Sequence, residues 1–236
     1  MKNQYFGDRR DYLKYSLIRM LISDYGLSAA VCWLLTKSCG GSDGQKIEYL
    51  SDPQSWREYD PLIYDFLRSQ VVEKCVRDVK ALEEGSLLRN CKYFSDIVPD
   101  DKISRGKYLD DFLNLAKDSQ LVFFDPDMGM EVESVKFGTK DSSKYIYLKE
   151  LEESFSLGHS LLIYQHFPRE KRPPFIKKQI RRLSNQTGAE SVFVFHDNEV
   201  AFFLAAQPDH RIYFDQACSK IKSAWRGLHV STTTCD

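Results

Sequence analysis

The chain has 236 residues, with 33 lysines and arginines against 34 aspartates and glutamates, and 42% of it is hydrophobic, including 15 Phe and 13 Tyr. That balance excludes a uniformly basic coat, and the apolar content excludes a disordered polymer or a scaffold that must be stapled by disulfides. At this length the chain fits one large domain or two small ones.

The first helical pattern runs over 11–22, where Leu13, Leu17, Met20 and Leu21 recur at helical spacing and Gly26 is placed to stop the helix. Ala29 to Leu35 is a short apolar run that reads as a buried strand, followed by a loop from Thr36 to Gly44 with three glycines. Asp52-Pro53 and Asp60-Pro61 each set a capping acid before a proline at a first helical position, and the segment from Leu50 to about Glu84 reads as helical. Next come a short strand at Lys92–Phe94, a helix over 108–117, and a strand Leu121–Phe124 that ends at Asp125-Pro126. A helix over 149–155, a strand over 160–165, a helix over 174–185 and a strand over 191–195 follow. A final strand at 199–207 is joined by only His196-Asp197-Asn198, short enough for an antiparallel hairpin.

Strands alternating with helices, with no long linker and no repeat, predict a single α/β domain over residues 1–236. Its sheet is expected to be doubly wound and mainly parallel, with a C-terminal antiparallel hairpin. In such sheets ligands bind beyond the carboxyl ends of the strands. The loop 36–44, Ser95-Asp96, Asp125 to Glu131 and His166 to Arg169 all follow predicted strands and should share one rim.

Residues 1–10 lack the apolar stretch of a signal peptide, and the longest apolar runs, 29–35 and 200–206, fall far short of the ~20 residues of a membrane span. The six cysteines, at 32, 39, 75, 91, 218 and 235, have no zinc or redox spacing and read as reduced thiols. A cytoplasmic protein with no membrane partner is expected. Charge is uneven locally: 43–101 is acid-rich, whereas 169–182 holds seven bases and the single acid Glu170. Arg169, Lys177, Lys178, Arg181 and Arg182 are therefore candidates for contacting the phosphates of RNA or DNA. The alternative is a solvated helix face.

The segment Leu121-Val-Phe-Phe-Asp125-Pro126-Asp127-Met128-Gly129-Met130-Glu131 puts two carboxylates on a turn at a strand end and a third four residues on. Asp125 is either a turn cap before Pro126, as Asp52 and Asp60 are at helices, or a functional group at the rim. An apolar strand ending in Asp-Pro resembles the (Asp/Asn)-Pro-Pro-(Tyr/Phe) motif of amino-directed nucleic-acid methyltransferases. The nearest likeness is to bacterial ribosomal-RNA adenine-N6 methyltransferases, whose opening Gly-x-x-x-Asp-x-Leu-Lys pattern is matched by Gly7-Asp8-Arg9-Arg10-Asp11-Tyr12-Leu13-Lys14.

The resemblance implies a Rossmann-like fold of the class I S-adenosylmethionine-dependent type and a site residue by residue. Asp125 and the Pro126 carbonyl would accept hydrogen bonds from the target amino group, with Lys14 near them; Asp127 and His166, on the same predicted rim, complete the expected site. Asp96 would bind the cofactor adenine. Gly40, Gly41, Asp43 and Gly44 would face its methionine portion.

Asp127 stands where the family has its second proline, and Met128 where it has a base-stacking aromatic. These departures open an alternative in which Asp125, Asp127 and Glu131 hold Mg²⁺ or Mn²⁺ and His166 assists phosphodiester cleavage. A third reading is a methyltransferase-like binding module without catalysis.

Overall fold

The computed structural model describes residues 1–37 and 44–234. In chain order the elements are α1 (Arg9–Ile22), β1 (Ala29–Cys32), α2 (Pro53–Trp56), α3 (Pro61–Arg68), α4 (Lys80–Glu84), β2 (Cys91–Phe94), α5 (Lys102–Ala116) and β3 (Leu121–Phe124). They continue with β4 (Gly129–Met130), β5 (Tyr145–Ile146), α6 (Leu148–Ser156), β6 (Ser160–His166), α7 (Arg172–Thr187), β7 (Ser191–His196), β8 (Val200–Ala206), α8 (Arg211–Ala224) and β9 (His229–Thr234).

Seven strands form one sheet in the order β2-β1-β3-β6-β8-β7-β9, and β4 pairs with β5 beside it. From β2 to β6 neighbours run parallel, whereas β8 lies antiparallel between β6 and β7, and β9 antiparallel to β7. The sheet is therefore mixed, with a parallel centre and an antiparallel C-terminal side.

Alternation along each strand feeds two cores. Ala29, Val31, Leu121 and Phe123 pack on the face carrying α1, α3 and α8. Ala30, Cys32, Val122 and Phe124 pack on the face carrying α5, α6 and α7. With helices on both faces, β1 and β3 are buried throughout, which is why they read as unbroken apolar runs rather than alternating ones.

Three expectations need correction. The segment 50–84 is broken into α2, α3, a π turn at Ser69–Glu73 and α4, because two Asp-Pro pairs restart the chain. Those two aspartates do cap, accepting from Ser55 N and Ile63 N at 3.3 Å each. The strand at Val200–Ala206 is not the last element, since α8 and β9 follow it and complete one core and one edge. Finally, α5 begins well before Tyr108, at a cap where Asp101 accepts from Ser104 N at 2.9 Å.

The expected hairpin forms. Asp197 closes it by accepting from Glu199 N (2.7 Å) and Val200 N (2.8 Å), a side-chain turn that leaves His166 opposite Val200 at the sheet rim. Among the described residues no helix is long and apolar enough to cross a membrane, and Cys32, Cys75, Cys91 and Cys218 are unbridged.

Candidate functional site

From β1 the chain runs to β2 on one side and then crosses back to β3 on the other, so the strand order reverses between β1 and β3, and the crevice beyond their carboxyl ends is where an open α/β sheet receives ligands. Asp125 stands at that point. Its backbone N–H donates to Cys32 O at 3.1 Å, tying the end of β3 to the end of β1.

A cavity of about 690 Å³ opens here, within the range of ligand sites. Its walls include Asp8, Arg10, Asp11 and Lys14 from the start of α1, Gly44 to Lys46, Asp125 to Met128, and Tyr164, His166 and Phe167 around the end of β6. The Gly7 to Lys14 motif explains the first wall. Gly7 sits at φ +80°, and a Cβ there would fall 2.3 Å from a Val71 methyl, so only glycine lets the chain turn this tightly into α1. Asp8 then caps α1 by accepting from Arg10 N at 3.0 Å and also accepts from Lys46 N at 3.2 Å.

One turn into α1, Asp11 and Lys14 point into the protein. The Lys14 ammonium donates to Asp11 Oδ1 (3.1 Å) and Asp125 Oδ2 (2.9 Å) and lies 4.2 Å from the centre of the Tyr164 ring. Tyr15 OH donates to the other Asp11 oxygen at 3.0 Å. All three charged groups are buried, at 1%, 4% and 1% exposure for Asp11, Lys14 and Asp125. Burial works against the ammonium, but Asp125 and Asp11 outweigh it and hold the Lys14 pKa above that of a free lysine. Asp11 is pushed up to about 6, first by burial and further by the nearby Asp125 and Asp8, with Lys14 pulling the other way. Two carboxylates and one lysine leave the floor of the cavity with an excess acid, which Asp11 relieves by holding its proton to near-neutral pH.

Asp127, next along, accepts from Thr36 Oγ1 at 2.7 Å and pairs with the amino nitrogen of Met1 at 2.8 Å. Burial opposes its ionisation, but the amino group and Thr36 draw its pKa below the usual carboxylate value. That same nitrogen donates to Asp125 O (3.0 Å) and Leu34 O (3.2 Å), so residue 1 lies across the β1–β3 crevice. At the mouth, Glu199 gathers Lys46 (2.7 Å), Arg10 (3.1 Å) and Arg9 (3.3 Å). The hydrogen bond from Lys46 does most to bring its pKa to about 2.

The loop after β3 is fixed by Gln165. Its Oε1 accepts from Met130 N (2.9 Å) while its Nε2 donates to Met128 O (3.1 Å) and His166 O (2.8 Å). Gly129 takes φ +120°, and a Cβ there would overlap the Gln165 amide. His166 borders the cavity with Nε2 3.3 Å from Tyr164 OH. Burial first, then Arg10 and Lys14, bring its pKa down from 6.5 to about 4, so the ring is neutral at physiological pH.

The sign of that shift makes a prediction. Between pH 6.5 and 4 the unfolded chain takes up a proton that the folded His166 refuses, so its contribution is present above pH 6.5 and is lost as pH falls toward 4. Asp11 acts oppositely, because its folded pKa is raised from 3.8 to about 6 and stability declines as pH rises through that window. His166→Gln should remove the first effect alone. Urea titrations from pH 7 to 4 should show the wild type losing about 2–3 kcal/mol more than the variant. Parallel profiles would mean that His166 is not held neutral by its surroundings.

The structure thus brings Asp125, Pro126, Asp127, Lys14, His166 and Gly44 to one cavity. Gly40, Gly41 and Asp43 lie outside the described residues. Asp96 is exposed at the end of β2, the strand beside β1, and does not border the cavity. Glu131 is turned away: it accepts from Leu148 N at 3.3 Å and pairs with Arg182 at 3.6 Å. Among the described residues no three His, Cys, Asp or Glu side chains are grouped to hold a metal ion, so the donor set of the metal alternative does not assemble. Of the basic candidates, Arg182 is also spent on Gln179 Oε1 and Glu131 O, both at 3.0 Å. Arg169, Lys177, Lys178 and Arg181 lie apart from the cavity.

Asp11, Asp8, Arg10, Lys46, Thr36 and Tyr164 were not singled out from the sequence. The signal for Asp11 was present: it stands three residues before Lys14 in a helix whose neighbours Tyr12, Leu13, Tyr15 and Leu17 are all apolar in character and all buried. An acid and a base one turn apart in such a helix must pair. Compared with known proteins, the chain matches no family model and no curated protein.

Proposed function

We propose that this cavity binds S-adenosylmethionine and that Asp125, with the Pro126 carbonyl, orients an amino group of a nucleic-acid base for methylation. What carries the reading is the placement of an Asp-Pro pair at the strand-order reversal, facing a ligand-sized cavity, with its carboxylate held by a buried lysine. The hairpin strand β8, inserted at the end of the parallel half, agrees with the Rossmann-like fold that the opening motif and the Asp-Pro turn imply.

The cavity's residues suit the cofactor by type. Asp8 and Asp127 offer negative charge toward a sulfonium or amino group, Arg10 and Lys46 offer positive charge toward a carboxylate, and Tyr5, Phe167 and neutral His166 offer flat surfaces for an adenine. When bound, the cofactor supplies an electrophilic methyl group. The protein's part is to aim the acceptor. Asp125 Oδ2 is engaged by Lys14, so the remaining oxygen is the acceptor for an amino N–H. Lys14 also fixes the carboxylate plane, which is orientation rather than proton transfer.

Isothermal titration with S-adenosylmethionine and S-adenosylhomocysteine tests the first half: micromolar binding supports it, and no heat at millimolar ligand removes it. For the second half, Asp125→Ala should reduce methyl transfer from labelled cofactor to RNA or DNA by about 10²-fold, as expected for a mispositioned acceptor, while cofactor affinity changes little. Asp125→Asn, which keeps one acceptor oxygen, should retain more activity than the alanine variant. Equal activity in all three proteins would show that Asp125 does not touch the acceptor.

A further inference from the structure

A second groove, of about 860 Å³, runs between α7 and β9 at the far edge of the sheet. One wall is the exposed face of α7 with Arg172, Lys177 and Arg181; the other is the hydroxyl strip Ser231, Thr233 and Thr234. Among the described residues no carboxylate borders it.

Its chemistry follows from the topology. On β7 the side chains facing α7 are Val192 and Val194, both buried, but their partners one strand further out are Thr233 and Ser231. The helix covers β7 and stops short of β9, so this outer strip stays exposed and polar. Along α7, Lys177 and Arg181 sit one turn apart, about 6 Å along the axis, on the same side. Among the described residues neither is ion-paired, in contrast to Arg182.

Arg172 donates to the carbonyls of Glu170 (2.9 Å) and Asn198 (3.0 Å), which fixes the guanidinium without neutralising it. It lies 4.9 Å from the Phe167 ring, and Phe167 also borders the switch-point cavity. The two concavities therefore share this corner. At the rim end of β9, His229 stacks on His196 with ring centres 4.8 Å apart, and His196 borders the groove.

We infer that this groove carries the phosphate backbone of a single-stranded nucleic acid and leads it past Arg172 toward the switch-point cavity. The inference rests on the nucleic-acid reading above and extends it to a path. Unneutralised cations one helical turn apart suit successive phosphates, hydroxyls donate to phosphate oxygens, and the paired imidazoles offer a face for a base. An acidic peptide would use the cations but has no need of the stacking face.

The test is fluorescence anisotropy with a labelled single-stranded RNA dodecamer over a salt series. Each neutralised phosphate contributes about −0.7 to the slope of log K against log salt for a single strand. Lys177→Ala with Arg181→Ala should flatten the slope by about one to two units. Thr233→Glu, which places a like charge in the groove without touching α7, should weaken binding by about tenfold, or ~1.4 kcal/mol. Lys140→Ala with Lys144→Ala, away from the groove, should leave the slope unchanged.

RNA binding with the wild-type slope in both groove variants would overturn the path but leave the nucleic-acid reading standing. No binding of any single strand at low salt would overturn that reading as well. Polyglutamate displacing the RNA as effectively as an unlabelled strand would assign the groove to acidic peptides and overturn the inference.

Discussion

Lys14→Met should destabilise the protein by about 3–5 kcal/mol, read as a fall in the urea midpoint with little change in m value. The methionine fills nearly the same volume, so lost packing is a minor part of the effect. What remains is Asp11 and Asp125, both buried, which the ammonium had bridged at 3.1 and 2.9 Å. Without it, two like charges share a dry site and at least one must take up a proton. The variant should therefore gain stability as pH falls toward the carboxylate range, opposite to ordinary acid denaturation. Combining Lys14→Met with Asp11→Asn and Asp125→Asn removes the charges together and should recover most of the loss. If the single variant costs less than 1 kcal/mol, the ion triad does not hold this floor together.

The second large effect is expected at Arg105, on the opposite face of the sheet. Its guanidinium forms a two-pronged pair with Glu150 (2.7 and 3.0 Å) and donates to Tyr145 O at 2.8 Å, while Glu150 also accepts from Tyr147 N at 2.9 Å. Arg105 is 1% exposed. Arg105→Met strands the Glu150 carboxylate and the Tyr145 carbonyl, and about 3–5 kcal/mol should be lost. The double variant Arg105→Met with Glu150→Gln should lose clearly less, because no buried charge is left unpaired.

The damage should also travel. Arg105 anchors the segment that becomes β5, β5 pairs with β4, and Met128 N donates to Lys144 O at 2.9 Å. Loosening that segment frees one side of the turn holding Asp127. Hydrogen exchange at Met128 and Met130 should accelerate in Arg105→Met more than exchange in β7, and uniform acceleration would show that the pair stabilises the fold without bracing the turn.

Most of the parallel centre was legible because its strands are short apolar runs bounded by turn residues, and β3 was read with its exact ends at Leu121 and Phe124. The C-terminal part was not. In β9 the residues His229-Val-Ser-Thr-Thr-Thr234 expose most of their side chains, so the strand exists through pairing with β7 and carries no hydrophobic alternation of its own. By contrast, α8 was there to be read: Phe214, Ala217, Cys218 and Ile221 fall at helical spacing and are its buried face.

The site divides in the same way. Asp125 could be found because a strand end is a place where ligands gather, and Lys14 because a motif pointed to it. Thr36, Lys46 and Glu199 are joined to the site only by tertiary distance, and nothing in their local sequence carries that information.

The packing of α1 against α8 also bears on what the site depends on. Tyr12 of α1 lies 5.1 Å, ring centre to ring centre, from Trp225, and Lys220 pairs with Asp24 at 2.7 Å. The helix that delivers Asp11 and Lys14 rests on a side of the core completed by residues more than two hundred positions further along the chain. Loss of α8 would therefore uncover the side of α1 that carries Tyr12 and loosen the helix behind the ion triad, while every direct partner of Lys14 stayed in place.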